Sequence, residues 1–233
     1  MKIILTGATG FIGKEVLHRA VAHPSITSIA CLTRRALPES VSTNPKVKVI
    51  ILNDFLSYPP DVLSQLEGAE ACIWCLGSPA MKNPSLEDSQ KIEIGFTHAG
   101  AEVFCSSLAS ALKEKGKTFR FVLLSGQGAE RDTTKNLWFL HNTRVIKGKA
   151  ENGLLALQQK EGSNFEVSIM RPSGVLAKGT LVPGAVTGIL NFIEVDILAT
   201  AMVGEAVENL PGTRTLECKA LRNQGLAFLN SEK

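Results

Sequence analysis

The segment Ile3-Ile4-Leu5-Thr6-Gly7-Ala8-Thr9-Gly10-Phe11-Ile12-Gly13 places three glycines at a Gly-x-x-Gly-x-x-Gly spacing. An apolar run enters it, and a helical pattern leaves it with Ile12, Val16, Leu17, Ala20 and Val21 on one stripe. The chemistry open to such a turn is anion binding. Glycines permit a tight bend and a close backbone approach, and the helix start offers free amides and a positive dipole end to a pyrophosphate. Gly7, Thr9, Gly10, Phe11, Ile12 and Gly13 are therefore the candidate residues for holding a dinucleotide. A tight turn with no ligand is the plainer alternative.

A second group follows the next apolar run. In dinucleotide-binding folds an acid at this strand end grips the adenosine ribose of NAD. Here the run ends Cys31-Leu32-Thr33-Arg34-Arg35, without a carboxylate. Paired guanidinium groups suit a 2′-phosphate through charge-assisted bonds, which favours NADP(H) over NAD(H). A solvated basic loop is the alternative reading of Arg34 and Arg35.

These groups need a scaffold, and the hydropathy pattern supplies one. Short, nearly continuous apolar runs at Lys2–Leu5, Ser28–Thr33, Val47–Leu52, Ala71–Leu76, Phe119–Leu124 and Phe165–Met170 read as parallel strands covered on both faces. Helical patterns alternate with them, the longest near Asp88–Glu114 and another from about Asn142 to Lys160. The expected fold is α/β: a Rossmann-type, doubly wound parallel sheet with helices on both faces. After Met170 the texture changes to a Gly/Pro/Ser-rich loop over Arg171–Val182, then helices near Ala185–Phe192 and Val195–Asn209 and a strand at Thr213–Cys218. The chain reads as one domain, 1–233, with about 171–233 forming a small substrate-side lobe over the open end of the sheet.

Composition narrows the function classes. With 44% hydrophobic and 20% charged residues the chain is an ordinary globular protein, and a net charge of +3 is too small to argue for nucleic acid or a membrane surface. No apolar stretch approaches the ~20 residues of a membrane span. Met1-Lys2-Ile3-Ile4-Leu5 lacks a signal-peptide pattern, so a cytoplasmic location is expected. The 5 cysteines are dispersed and odd in number, unlike a disulfide framework. Cys72 and Cys75 sit three apart on a strand, which sends their thiols to opposite faces; buried apolar roles are expected, and no metal site.

The chain resembles the short-chain dehydrogenase/reductase superfamily, in its extended or atypical branch, and is similar to the Tat-interacting-protein-like NAD(P)-binding group. The likeness rests on Gly7-Ala8-Thr9-Gly10-Phe11-Ile12-Gly13, Cys75-Leu76-Gly77, Leu124-Ser125, Lys147-Gly148 and Arg171-Pro172-Ser173-Gly174. It implies that Asn53-Asp54-Phe55 flanks the adenine, with Asp54 and Phe55 as contacts. It also implies that Leu76-Gly77-Ser78 passes the nicotinamide ribose and that Leu76, Gly77, Lys147 and Pro172 are among the cofactor-binding residues. A homodimer through the two long helices is a family-level expectation.

The family's reductases use Tyr-x-x-x-Lys on a helix, with a Ser or Thr after the fifth strand. The lysine lowers the phenol's pKa so that it exchanges a proton with the substrate carbonyl. This chain has one tyrosine, Tyr58, followed four residues later by Val62, so the dyad cannot occur. The matching segment is His141-Asn142-Thr143-Arg144-Val145-Ile146-Lys147-Gly148-Lys149-Ala150-Glu151. If Lys147 is the family lysine, Thr143 takes the tyrosine position; if Lys149 is, Val145 does. The Lys-Gly-x-x-Glu run favours Lys147, whose alternative is an exposed helix lysine paired with Glu151. The hydroxyl position falls on Ser125 or Gly126. Imidazole is the side chain suited to proton exchange near neutrality, so His141 is the candidate replacement acid, against a capping role. The candidate catalytic residues are thus Lys147, Ser125, Thr143 and His141.

The apolar segment Asn136-Leu137-Trp138-Phe139-Leu140 either walls an apolar substrate pocket or buries against the long helix or a partner subunit. Three functions remain open. One is an NADP(H)-dependent oxidoreductase for an apolar small molecule without Tyr-dependent proton transfer. Another is a repurposed enzyme catalysing isomerisation or cyclisation around a structural dinucleotide. The third is a non-catalytic dinucleotide sensor. Fold alone does not separate them.

Overall fold

A computed structural model describes residues 1–77, 85–161, 164–180, 191–208 and 212–231. Seven strands form one parallel sheet: β1 (Lys2–Thr6), β2 (Ser28–Thr33), β3 (Val47–Ile51), β4 (Ala69–Trp74), β5 (Phe119–Leu124), β6 (Phe165–Arg171) and β9 (Arg214–Glu217). Their order is β3-β2-β1-β4-β5-β6-β9, and every neighbouring pair is parallel. The order reverses direction at β1, which makes the ends of β1 and β4 the switch point where such sheets bind ligands. This is the doubly wound α/β fold that the alternating pattern predicts.

Alternate residues of each strand feed two separate cores. One face holds an aromatic set, Phe55, Trp74, Phe104, Phe119, Phe121 and Phe165, under the helices 86–113 and His141–Glu161. The other holds Ile3, Leu5, Ile29, Ile73 and Val122 under the helices Phe11–Ala22 and Val195–Val207. Cys72 belongs to the first core and Cys75 packs against the second, the opposite-face placement expected of that pair.

The region after residue 170 is built into the body of the domain. β9 extends the sheet, and 11 of the 13 residues of the helix Val195–Val207 are buried between Phe11–Ala22, the sheet and the helix Cys218–Ser231. The expected loop contains a short strand, β7 (Val175–Leu176), paired with β8 (Ile193–Glu194) as a separate two-stranded sheet. The expected helix near Ala185–Phe192 lies mostly outside the described residues. Among those residues no helix is long and apolar enough to cross a membrane.

The long helix is not uniform. It starts at Ser85, whose hydroxyl accepts the Asp88 amide at 2.9 Å. Two stretches, Lys91–Phe96 and Cys105–Ala109, are wound as π-helix within the surrounding α-helix. Such insertions cluster at functional positions.

Candidate active site

Gly7 has φ +71, a backbone conformation that costs L side chains and suits glycine. A Cβ built on it would lie 2.4 Å from the Cys75 carbonyl oxygen, so the turn presses directly onto the end of β4. A Cβ on Gly13 would lie 2.1 Å from Gly7 O, so the helix also closes tightly on the turn. The Gly10 amide donates to Gly7 O at 2.9 Å, and no side chain caps the helix that begins at Phe11. An uncapped, glycine-built helix start has the shape and the dipole that fit a pyrophosphate. Thr9, Gly10 and Phe11 are exposed at its mouth, and Ile12 is half-buried.

From this turn a cleft of about 340 Å³ runs towards β2, lined by Gly7, Thr9, Leu32, Thr33, Arg34, Arg35, Ala36, Phe55 and Leu76. Thr33 fixes the strand end: its Oγ1 donates to Arg35 O at 2.9 Å and accepts the Arg35 amide at 3.3 Å. Arg34 and Arg35 are exposed, and among the described residues neither is ion-paired. Phe55 lines the cleft although its ring is buried edge-on against Trp74. Asp54 is exposed, and its Oδ1 accepts the Leu56 amide at 3.0 Å, which makes it a turn-forming residue. The Leu76 amide donates to Thr6 Oγ1 at 3.2 Å, tying the end of β4 to that of β1. Ser78 lies outside the described residues. Pro172 is buried, and its carbonyl accepts the Gln127 amide at 2.7 Å.

The titratable groups lie beyond the Leu76 side of this cleft, beside Gly77 and Gly126 after β4 and β5. Lys147, in the helix His141–Glu161, places Nζ 3.0 Å from Glu93 Oε2. This corrects the pairing with Glu151: that carboxylate has no solvent exposure and is held by other partners. Ser125 Oγ donates to its Oε1 at 2.6 Å, Arg131 Nε to its Oε2 at 2.7 Å, and Arg171 reaches both oxygens at 2.9 and 2.5 Å. Lys147 is one turn away on the same helix but faces the long helix instead. The Ser125 hydroxyl therefore points into this internal network. Gly126, the other hydroxyl position, has no side chain, and a Cβ there would lie 3.3 Å from Lys147 Cδ.

Thr143 is half-buried in the first turn of its helix. His141 opens that helix, and its Nδ1 accepts the Leu137 amide at 3.2 Å, a link that anchors the preceding loop. That loop is not buried against the long helix: Trp138 is 96% exposed, Phe139 55% and Leu140 43%. Tyr58 lies in the aromatic core, 8% exposed, packed edge-on against Phe104. Its hydroxyl has no hydrogen-bond partner among the described residues, and burial pushes its pKa well above the usual phenol range. Glu93 was missed from sequence. A glutamate on a helix with no motif around it carries no signal until the fold sets it against Gly77 after β4.

The parallel sheet with a glycine-built, uncapped helix start at its switch point defines a dinucleotide-binding domain. The chain matches the family described as NAD(P)H-binding over residues 7–192 and belongs to that family. It is 31% identical over 172 residues to the leucinostatins biosynthesis cluster protein T of Purpureocillium lilacinum, covering 72% of this chain but only 56% of that protein. It is 27% identical over 199 residues to Protein FMP52, mitochondrial, of Candida albicans, covering 79% of this chain and 80% of that one. Among solved structures, MoeE5 in complex with UDP-glucuronic acid and NAD superimposes with a TM-score of 0.70 at 16% identity, over 94% of this chain and 76% of that one. The yeast methylglyoxal/isovaleraldehyde reductase Gre2 complexed with NADPH gives 0.70 at 14% identity, over 93% and 77%. At these identities the structural likeness is one of fold.

Proposed function

We propose that the protein is an NADP(H)-dependent oxidoreductase that acts on an apolar small molecule without a tyrosine proton donor. The observation that carries this reading is the cleft itself. It joins a phosphate-shaped glycine turn to the exposed Arg34 and Arg35, and the Lys147–Glu93 pair stands beyond it where β4 and β5 finish. Gly7, Gly10 and Gly13 would admit the pyrophosphate, Arg34 and Arg35 the 2′-phosphate, and Phe55 the adenine side. When bound, the reduced nicotinamide supplies hydride. The exposed Trp138, Phe139 and Leu140, at the start of the helix that carries Lys147, support an apolar substrate.

Titration of the protein with NADPH and NADH, followed by absorbance at the reduced nicotinamide band with a panel of carbonyls and enones, tests the reading. Tight NADPH binding and oxidation by an apolar carbonyl or enone supports it. A second reading has one specific observation in its favour: Tyr58 is buried in the core and Ser125 is committed to Glu151, so two groups of the usual reductase chemistry are missing from the cleft. It is a non-redox isomerisation or cyclisation around a retained dinucleotide. NADPH binding with no oxidation across the panel would favour it.

A further inference from the structure

Gly77 follows β4 and Gly126 follows β5, neighbouring strands beside the switch point. Between these strand ends lie the Lys147 ammonium and the Glu93 carboxylate, 3.0 Å apart. The Lys147 stem crosses Gly126, and Glu93 Oε1 rests against Gly77, 3.1 Å from where a Cβ would be. Side-chain exposures of 18% and 10% leave the pair largely shielded from salt. Arg34 and Arg35 follow β2 on the other side of β1, so a dinucleotide laid across the turn with its phosphates at β1 and β2 has its remaining half at β4 and β5.

We propose that Glu93 is a positioning residue that aims the Lys147 ammonium at the space beside Gly77 and Gly126, and that Lys147 supplies the substrate's proton. The proposal rests on the dinucleotide reading above. In a carbonyl reduction the substrate carbon gains a hydride from the reduced nicotinamide, and the C=O π pair moves to oxygen. That oxygen takes a proton from Lys147 Nζ. The N–H bond breaks to leave a neutral amine beside Glu93, and solvent water reprotonates it. The π-wound turn Lys91–Phe96 fits this role because it sets which helix residue meets Gly77. Gly126 fits it as well: any side chain there would meet the lysine stem.

The test compares Glu93→Gln, Glu93→Asp and Lys147→Arg with the unaltered protein. Three quantities are read: NADPH affinity by fluorescence, kcat and KM with the best carbonyl substrate, and the rate at which an amine-acylating reagent labels Lys147, mapped by peptide mass. Glu93→Gln is expected to hold NADPH affinity within about threefold while kcat falls roughly a hundredfold, the scale of a misaimed catalytic group, with KM little changed. Glu93→Asp should recover part of that loss. Lys147→Arg keeps the charge but is a far weaker acid, and should stay as slow as Glu93→Gln. Labelling of Lys147 should quicken about tenfold in Glu93→Gln and slow when NADPH is bound.

Turnover and labelling unchanged in Glu93→Gln would overturn the proposal. So would a loss of NADPH affinity as large as the loss of kcat, which would mark Glu93 as structural. If the unaltered protein binds neither NADPH nor NADH, the functional reading itself fails. If it binds NADPH but reduces nothing, the proton step fails, and labelling alone decides the positioning of Lys147.

Discussion

Ser125 donates a 2.6 Å hydrogen bond to Glu151, a carboxylate with no solvent exposure. Arg131 and Arg171 complete its coordination, and they extend the network to Thr215 and Glu217 on β9. Glu151 thereby fastens three segments that are far apart in sequence: the loop after β5, the end of β6 and the added edge strand. Breaking a buried charge cluster by removing one member costs about 3–5 kcal/mol, because the remaining charges stay uncompensated. Glu151→Ala should lose about that much stability in urea unfolding. Loss under 1 kcal/mol would mean that the network adds nothing to the fold.

Arg34 and Arg35 should discriminate between dinucleotides. Hydrogen bonds to charged groups are worth about 1.5–3 kcal/mol each. The double change Arg34→Ala with Arg35→Ala should weaken NADPH binding at least about tenfold and leave NADH binding nearly unaltered. Equal weakening of both would undo the assignment of the 2′-phosphate to this loop.

Gly13 has no room for a methyl group beside the Gly7 carbonyl. Overpacking of this kind costs about 1–3 kcal/mol. Gly13→Ala should lower the melting temperature and, by moving the helix start, lower dinucleotide affinity. A variant that keeps both would show that the turn has slack not visible in its geometry.

The Tyr58 hydroxyl is buried without a partner among the described residues, a state that costs about 1–3 kcal/mol. Tyr58→Phe should be neutral or more stable by about 1 kcal/mol, with dinucleotide binding unchanged. Any catalytic loss in this variant would contradict the placement of Tyr58 in the core.

Burial pushes the Cys31 thiol up to about 12 and the Cys72 thiol well above its usual range. Both pKa values are raised on folding, so the stability they contribute is whole below the unfolded thiol value of about 8.5. It is lost as pH rises from there through the folded values. Stability measured from pH 8 to 11 should fall, and Cys31→Ala should flatten that fall. Cys31 and Cys72 should resist thiol reagents at neutral pH until the chain unfolds.

The sheet and the glycine turn were legible because each is local. Apolar runs such as Ile3–Leu5 and Ala71–Trp74 bury both faces, and the turn's spacing serves the adjoining helix. The surroundings of Lys147 were less legible because their geometry is set across the chain. Lys147 and Glu151 suit an i,i+4 pair by spacing, yet Glu151 turns inward to two arginines and Lys147 outward to Glu93, 54 residues away. The loop before His141 was ambiguous for the opposite reason. Its apolar residues suit a pocket wall, a partner surface or burial against the long helix; the structure presents Trp138 to solvent and holds Leu140 at φ +50, which removes burial against that helix.

The π-wound turn at Lys91–Phe96 gives the long helix a length sensitivity that its composition hides. A π turn accommodates one residue more than the α-helix around it. Deleting one residue there would let the turn relax to ordinary α winding with little loss of helical hydrogen bonding. One residue of α-helix is about 100° of rotation. Six π-wound residues sweep about the same angle as five α-wound ones, so the flanking segments, with Phe104, would stay in phase, and only the residues inside the turn, Glu93 among them, would change their place against Gly77. A single inserted residue thus places a carboxylate at the end of β4 without turning the rest of the helix out of its packing.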